Sequence, residues 1–200
     1  MARPPRPTLV YSLIALLSWP ILRLVFRYRA YDRANLPADG GYVLAAGHVS
    51  NLDPWALGLD LWPRRFLRFM AKSELFWFPL GPLLGAVGAF KVHRGRADRA
   101  AIETAVQLAR DGHVIAMFPE GTRRRKGLRK RYEAQAHSGA ARIAMEAGVP
   151  LVPAGIKGTD GLRRLQPWRV RYGPPVELGA DPAEATVRLM EAIHALEASL

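Results

Sequence analysis

Short, almost wholly apolar runs recur along the chain, and each stops at a cluster of polar or turn-forming residues. YVLAAG at residues 42–47 leads into His48, HVIAMF at 113–118 into PEGTR, and VPLVPAGI at 149–156 into Lys157. Runs this short are too brief for stable helices and show no polar alternation, so they read as strands buried on both faces. Residues 66–70, 89–92 and 168–172 read as further strands. Between them lie stretches with apolar residues at helical spacing: 98–110, with a capping Asp98 and Gly112 behind it; 138–147, ended by Gly148; and 181–200. NLDPW at residues 51–55 looks like another helix start, because an Asp before Pro supplies the cap and first turn together. The alternation predicts an α/β fold: a single domain with a mostly buried mixed sheet flanked by helices. The polar motifs fall at strand ends, where open α/β sheets hold their ligands.

The start of the chain has another character. Residues 7–22, PTLVYSLIALLSWPIL, are uncharged and lie between Arg3 and Arg6 on one side and Arg23, Arg27 and Arg29 on the other. A helix that crosses a bilayer needs about 20 apolar residues. This stretch is shorter, carries Pro20, and places Trp19 and Tyr11 where headgroup-level residues belong. An N-terminal membrane-associating helix is the expectation, lying in the interface or re-entering it. A core helix and a span or signal stay open. The turn cluster NLPADGG at residues 35–41 divides the chain into a basic and apolar anchoring segment, 1–34, and a domain, 35–200.

Charge narrows the partners. The chain holds 29 basic and 17 acidic residues, a net charge of +12, so its field attracts polyanions. RRRKGLRKRY at residues 123–132 concentrates that charge but offers a single aromatic residue, Tyr132, where nucleic-acid binders interleave several. No nucleic acid is expected. An anionic membrane surface is, at the cytoplasmic face. The chain has no cysteine, which excludes disulfides and a cysteine nucleophile.

GHVSNLDP at residues 47–54 carries the chemistry. A histidine and an aspartate five positions apart cannot share one face of a continuous helix. If His48 sits on the strand-to-helix turn and Asp53 at the helix start, the carboxylate folds back onto the imidazole. That pairing fixes the tautomer and makes the histidine a usable general base. Spacing alone is weak evidence: His93 and Asp98 repeat it in HRGRAD. Asp53 also reads as a plain helix cap, and Asp98 more clearly so. FPEGTR at residues 118–123 adds a strand end that delivers Arg123, able to hold phosphate through two hydrogen bonds.

GHVSNLD, AKSELFWFPLGPLLGAVGAFKVHR, FPEGTR, HSGAARIAMEAGVP and VPAGIKG follow one another in that order over residues 35–180. The series resembles the glycerolipid acyltransferase family, specifically the 1-acylglycerol-3-phosphate (lysophosphatidic acid) acyltransferases. The resemblance implies that His48 is the catalytic base and Asp53 its orienting partner. It implies that Lys72 and Arg94 contact phosphate, that Glu120, Gly121, Thr122 and Arg123 form the acceptor-binding block, and that Val152 and Pro153 serve the acyl side or its packing. It further implies no metal and no cofactor, with acyl-CoA or acyl carrier protein as donor co-substrate and a lysophospholipid as acceptor. Two departures stand out: His93 precedes Arg94 where an acidic or small polar residue is usual, and His137 replaces the usual Lys. Glycerol-3-phosphate or a glycosylated phospholipid is an alternative acceptor, and a non-enzymatic polyanion binder the alternative class. The aromatic cluster Phe76, Trp77 and Phe78 reads as core ahead of membrane contact.

Overall fold

The computed structural model describes residues 5–93, 98–121 and 136–200. Seven strands form one sheet: β1 (Arg29–Tyr31), β2 (Tyr42–Ala46), β3 (Leu67–Lys72), β4 (Ala89–Val92), β5 (Val114–Met117), β6 (Leu151–Lys157) and β7 (Arg169–Tyr172). Their order across the sheet is β1-β7-β6-β2-β5-β3-β4. Every neighbouring pair is parallel except β6 with β7, so the sheet is mixed.

The helices are α1 (Leu9–Leu24), α2 (Asp53–Leu61), α3 (Leu80–Ala86), α4 (Arg99–Arg110), α5 (Gly139–Ala147) and α6 (Pro182–Ala198). Side chains alternate across a strand, so β2 feeds two cores at once. Tyr42, Leu44 and Ala46 join Tyr11 of α1 and Leu57 of α2 on one face. Val43 and Ala45 join Ala105 of α4, Ile143 of α5 and Leu189 of α6 on the other. All five residues of β2 are fully buried, as its unbroken apolar run requires. Each large aliphatic side chain removed from water in this way contributes about 1.5–3 kcal/mol.

Caps match the sequence signals. Asp98 accepts the backbone N–H of Ala101 at the start of α4, and Asp181, ahead of Pro182, accepts that of Ala183 at the start of α6. Gly148 ends α5 at φ 68°, a left-handed position suited to glycine.

Three features go beyond the sequence reading or depart from it. Residues 29–31 form an edge strand, parallel to β7, inside the segment read as an anchor. The Pro- and Gly-rich stretch 76–88 contains a helix, α3. Finally, Trp77 and Phe78 are not core: they are 59% and 85% exposed, while Phe76 is half-buried under the ammonium of Lys91. The two residues lie between the single turn Ser73–Leu75 and the start of α3, and the core is filled without them.

Helix α1 packs through one stripe only. Tyr11, Ala15 and Leu22 are buried, with the Tyr11 ring edge-on to Phe66 at 5.2 Å. Its outer face is apolar yet exposed: Leu9, Val10, Leu13, Leu16, Leu17, Ile21 and Leu24 all face away from the core. Among the described residues no helix is long and apolar enough to cross a membrane.

Candidate active site

Strand β2 lies at the centre of the sheet, between β6 and β5, and stops at Ala46. Gly47 and His48 therefore emerge at its C-terminal edge. After four intervening residues the chain enters α2, with Asp53 leading and Pro54 behind it, where the missing N–H costs nothing. The intervening turn is shaped by the aspartate itself. Its Oδ2 accepts the backbone N–H groups of Val49 at 2.9 Å and Ser50 at 2.8 Å.

The same oxygen lies 2.8 Å from His48 Nδ1. A carboxylate oxygen already accepting two backbone protons accepts a third here, so the ring nitrogen is the donor. The imidazole is thereby fixed as the Nδ1–H tautomer, and Nε2 keeps the lone pair that a general base needs. Asp53 is wholly buried, and its other oxygen, Oδ1, accepts the hydroxyl of Thr159 at 2.6 Å. Burying a bare carboxylate is costly, and these four donors offset that cost.

His48 is 9% exposed, and its ring stacks on Phe118, with ring centroids 4.3 Å apart and 25° between planes. Its backbone N–H faces Glu120 Oε2 at a long 3.5 Å. Glu120 is buried, and Gly121 follows at φ 65°, where an added Cβ would also meet the His137 ring at 3.0 Å. The close approach explains why glycine stands there.

His48 opens onto a cavity of about 590 Å³ lined by Trp55, Leu67, Phe69, Leu84 and Tyr11. Lys72, exposed at the last position of β3, lines it as well. The cavity therefore joins an imidazole, a cation and an apolar wall. Burial of Tyr11 pushes its hydroxyl well above the ordinary phenol range, so that group stays protonated. Among the described residues no three His, Asp or Glu side chains gather into a metal-sized cluster.

The second His–Asp pair also forms. His93 Nδ1 lies 3.1 Å from Asp98 Oδ2, but the His93 side chain is 69% exposed and does not line the cavity. Asp98 instead serves helix α4. The backbone N–H groups of His93 and Ala101 hold its carboxyl below the usual carboxylate range. A five-residue spacing at a strand-to-helix turn thus makes the contact in both places, and of the two the His48 ring is the one that faces this cavity.

Of the residues singled out from the sequence, His48 and Lys72 line this cavity, Asp53 is buried against the His48 ring, Glu120 faces the His48 backbone N–H, and Gly121 follows it in the chain. Arg94, Thr122, Arg123 and the basic run 123–131 lie outside the described residues. Val152 is core, and Pro153 beside it is buried in β6.

A family model described as Acyltransferase matches residues 27–157, a span that runs from the end of α1 to the end of β6 and includes every residue of this site except Tyr11 and Thr159. The chain belongs to the acyltransferase family.

The acyltransferase is similar to the 1-acyl-sn-glycerol-3-phosphate acyltransferase of Bacillus subtilis strain 168, 34% identical over 148 residues that cover 72% of this chain and 70% of the relative. It is 28% identical over 130 residues to a human 1-acyl-sn-glycerol-3-phosphate acyltransferase beta, covering 64% of this chain and 45% of that protein. In fold it resembles the 1-acyl-sn-glycerophosphate (LPA) acyltransferase PlsC from Thermotoga maritima, at a TM-score of 0.69 and 22% identity over 94% of this chain and 77% of that one. The acyltransferase is thus a transferase on an α/β fold shared with a solved relative.

Two contributors to the site escaped the sequence reading. Phe118 stood inside a motif read for its turn, yet its ring carries the histidine. Thr159 stands 106 positions from Asp53. The signal available for it was topological: β6 pairs parallel with β2, Ala154 opposite Ala46, so the chain leaving β6 arrives beside the chain leaving β2.

Proposed function

We propose that this acyltransferase moves a fatty-acyl group from an acyl thioester, of coenzyme A or acyl carrier protein, to the free hydroxyl of 1-acylglycerol-3-phosphate, making phosphatidic acid at a membrane surface. The observation that carries the reading is the buried Asp53 carboxylate holding His48 Nδ1 at 2.8 Å while the ring opens onto an apolar cavity with Lys72 at its edge. Nε2 takes the proton of the acceptor hydroxyl as the oxygen attacks the thioester carbonyl. The carbon–sulfur bond breaks, and the thiolate recovers the proton from the imidazolium. One histidine thus serves as base and then acid, with no acyl-enzyme. Lys72 supplies charge for the acceptor phosphate, and Arg94 and Arg123 are proposed to join it. Held there, the acceptor pays in advance the entropy of positioning its hydroxyl.

The lipid surface is supported by shape. Helix α1, of 16 residues, is about 24 Å long at 1.5 Å per residue, less than the roughly 30 Å hydrocarbon core of a bilayer. Leu75, Trp77, Phe78 and Leu83 are exposed as well, and the Thr8 hydroxyl ties the helix to Ala86 at 2.7 Å. An apolar face of this extent on a chain of net charge +12 fits a helix lying in an anionic interface. Tyr11 and Leu84, from the same two helices, line the cavity, so an acyl chain would pass from the bilayer to His48 without crossing water.

The test is an acceptor panel. Purified protein with acyl-CoA is offered lysophosphatidate, glycerol-3-phosphate, a glycosylated phospholipid or no acceptor, and thiol release and lipid product are followed. Phosphatidic acid from lysophosphatidate alone is the expected result. Turnover with another acceptor alone would overturn the assignment of substrate, and salt-sensitive DNA binding without any thiol release would overturn the enzyme.

A further inference from the structure

We infer that Thr159 is a positioning residue for the acid–base pair, extending it to a chain of three side chains: Thr159 hydroxyl to Asp53 carboxylate to His48 imidazole. Asp53 is wholly buried, and its two oxygens are divided between different tasks. Oδ2 takes His48 Nδ1 and the N–H groups of Val49 and Ser50, all from the chain segment that immediately precedes it. Oδ1 takes the Thr159 hydroxyl at 2.6 Å, a distance typical of O–H donation to an anion. Three donors crowd one oxygen from a single local turn, and the fourth reaches the other oxygen from beyond β6, 106 residues away.

The consequence is a fixed carboxylate plane. The local donors all converge on Oδ2 and leave the carboxylate free to rotate about them. Thr159, itself 1% exposed, stops that rotation from the turn that leaves β6, two residues past Lys157. Its β-branched side chain has few rotamers to lose, so the hydroxyl is held where Oδ1 needs it. Removing the hydroxyl leaves Oδ1 buried without its donor. A carboxylate that swivels points its imidazole partner away from the acceptor hydroxyl. The effect falls on the proton-transfer step and leaves the cavity walls and Lys72 as they are.

This assignment rests on His48 acting as the base, and the experiment separates the two. Thr159→Val keeps the branched shape and removes the hydroxyl; Thr159→Ser restores it. Steady-state kinetics with acyl-CoA and lysophosphatidate should show Thr159→Val with kcat down roughly tenfold and KM for both substrates essentially unchanged. Thr159→Ser should recover most of the rate. The downfield proton resonance of His48 Nδ1–H, read in the absence of substrate, should shift in Thr159→Val and return in Thr159→Ser. If Thr159→Val does not fold, Thr159→Ala is read in its place with the same expectation. Wild-type rate with an unshifted resonance would overturn the role of Thr159. Absence of transfer in the wild-type chain would instead remove the acyltransferase mechanism, and the resonance would still decide whether Thr159 holds the pair.

Discussion

Replacing Asp53 by asparagine separates the charge of this carboxylate from its shape. Three N–H groups converge on Oδ2, so the asparagine must keep its carbonyl oxygen there and turn its NH₂ toward Thr159. The Thr159 hydroxyl can rotate to accept that proton, because a hydroxyl both donates and accepts. His48 therefore keeps its Nδ1–H tautomer in the variant and loses only the negative charge beside the ring. With an N···O contact of 2.8 Å, the two charge centres of the ion pair formed during turnover lie about 4 Å apart, worth about 4 kcal/mol at an effective dielectric near 20. At about 1.4 kcal/mol per factor of ten, Asp53→Asn should lower kcat about a thousandfold with little change in melting temperature. Thiol release from acyl-CoA in the presence of lysophosphatidate measures the first, and a thermal melt the second. A folded Asp53→Asn protein within tenfold of the wild-type kcat would show that the carboxylate charge does not stabilise the protonated ring, and the argument from that ion pair would be wrong.

Other expectations follow from single features. Gly121→Ala places a Cβ at φ 65° against the His137 ring, so it should cost about 1–2 kcal/mol of stability in a denaturant melt. Burial, with help from the Arg68 charge, holds the His113 imidazole below its ordinary value. The unfolded chain then binds a proton there more readily than the folded one. Stability from this source is full above the ordinary histidine range and falls as pH drops toward the lowered folded value, so the decline in melting temperature from pH 7.5 to 5 should be shallower in His113→Gln. On α1, Leu13 and Leu17 are 58% and 65% exposed. Changing both to Asn should remove about 3 kcal/mol of interfacial burial and lower partitioning onto phosphatidylglycerol vesicles roughly a hundredfold, with the thermal melt unchanged.

Much of the fold could be read from local pattern because the central strands have no solvent face. The run at Tyr42–Ala46 and the one at Leu151–Lys157 are apolar almost without break, and only a strand between two layers tolerates that. The edge strand Arg29–Tyr31 carries no such mark. It is a strand because β7 offers backbone partners at Arg169, Val170 and Arg171, which is tertiary information. The same distinction runs through the site. His48, Asp53, Glu120 and Gly121 are legible because each stands in a compact motif where strand meets turn. The spacing could not separate His48 from His93, since both pairs make the contact; exposure separates them. Thr159 was illegible because it reaches Asp53 through sheet register alone.

The central claim is that an imidazole steered by Asp53 takes the proton from the acceptor alcohol. The most direct measurement is thiol release from acyl-CoA with lysophosphatidate, comparing His48→Ala with His93→Ala. Loss of about 10²- to 10⁴-fold or more in the first, with near wild-type turnover in the second, is the result this geometry predicts. Activity that survives in His48→Ala but vanishes in His93→Ala would place the chemistry at the exposed pair and contradict the account.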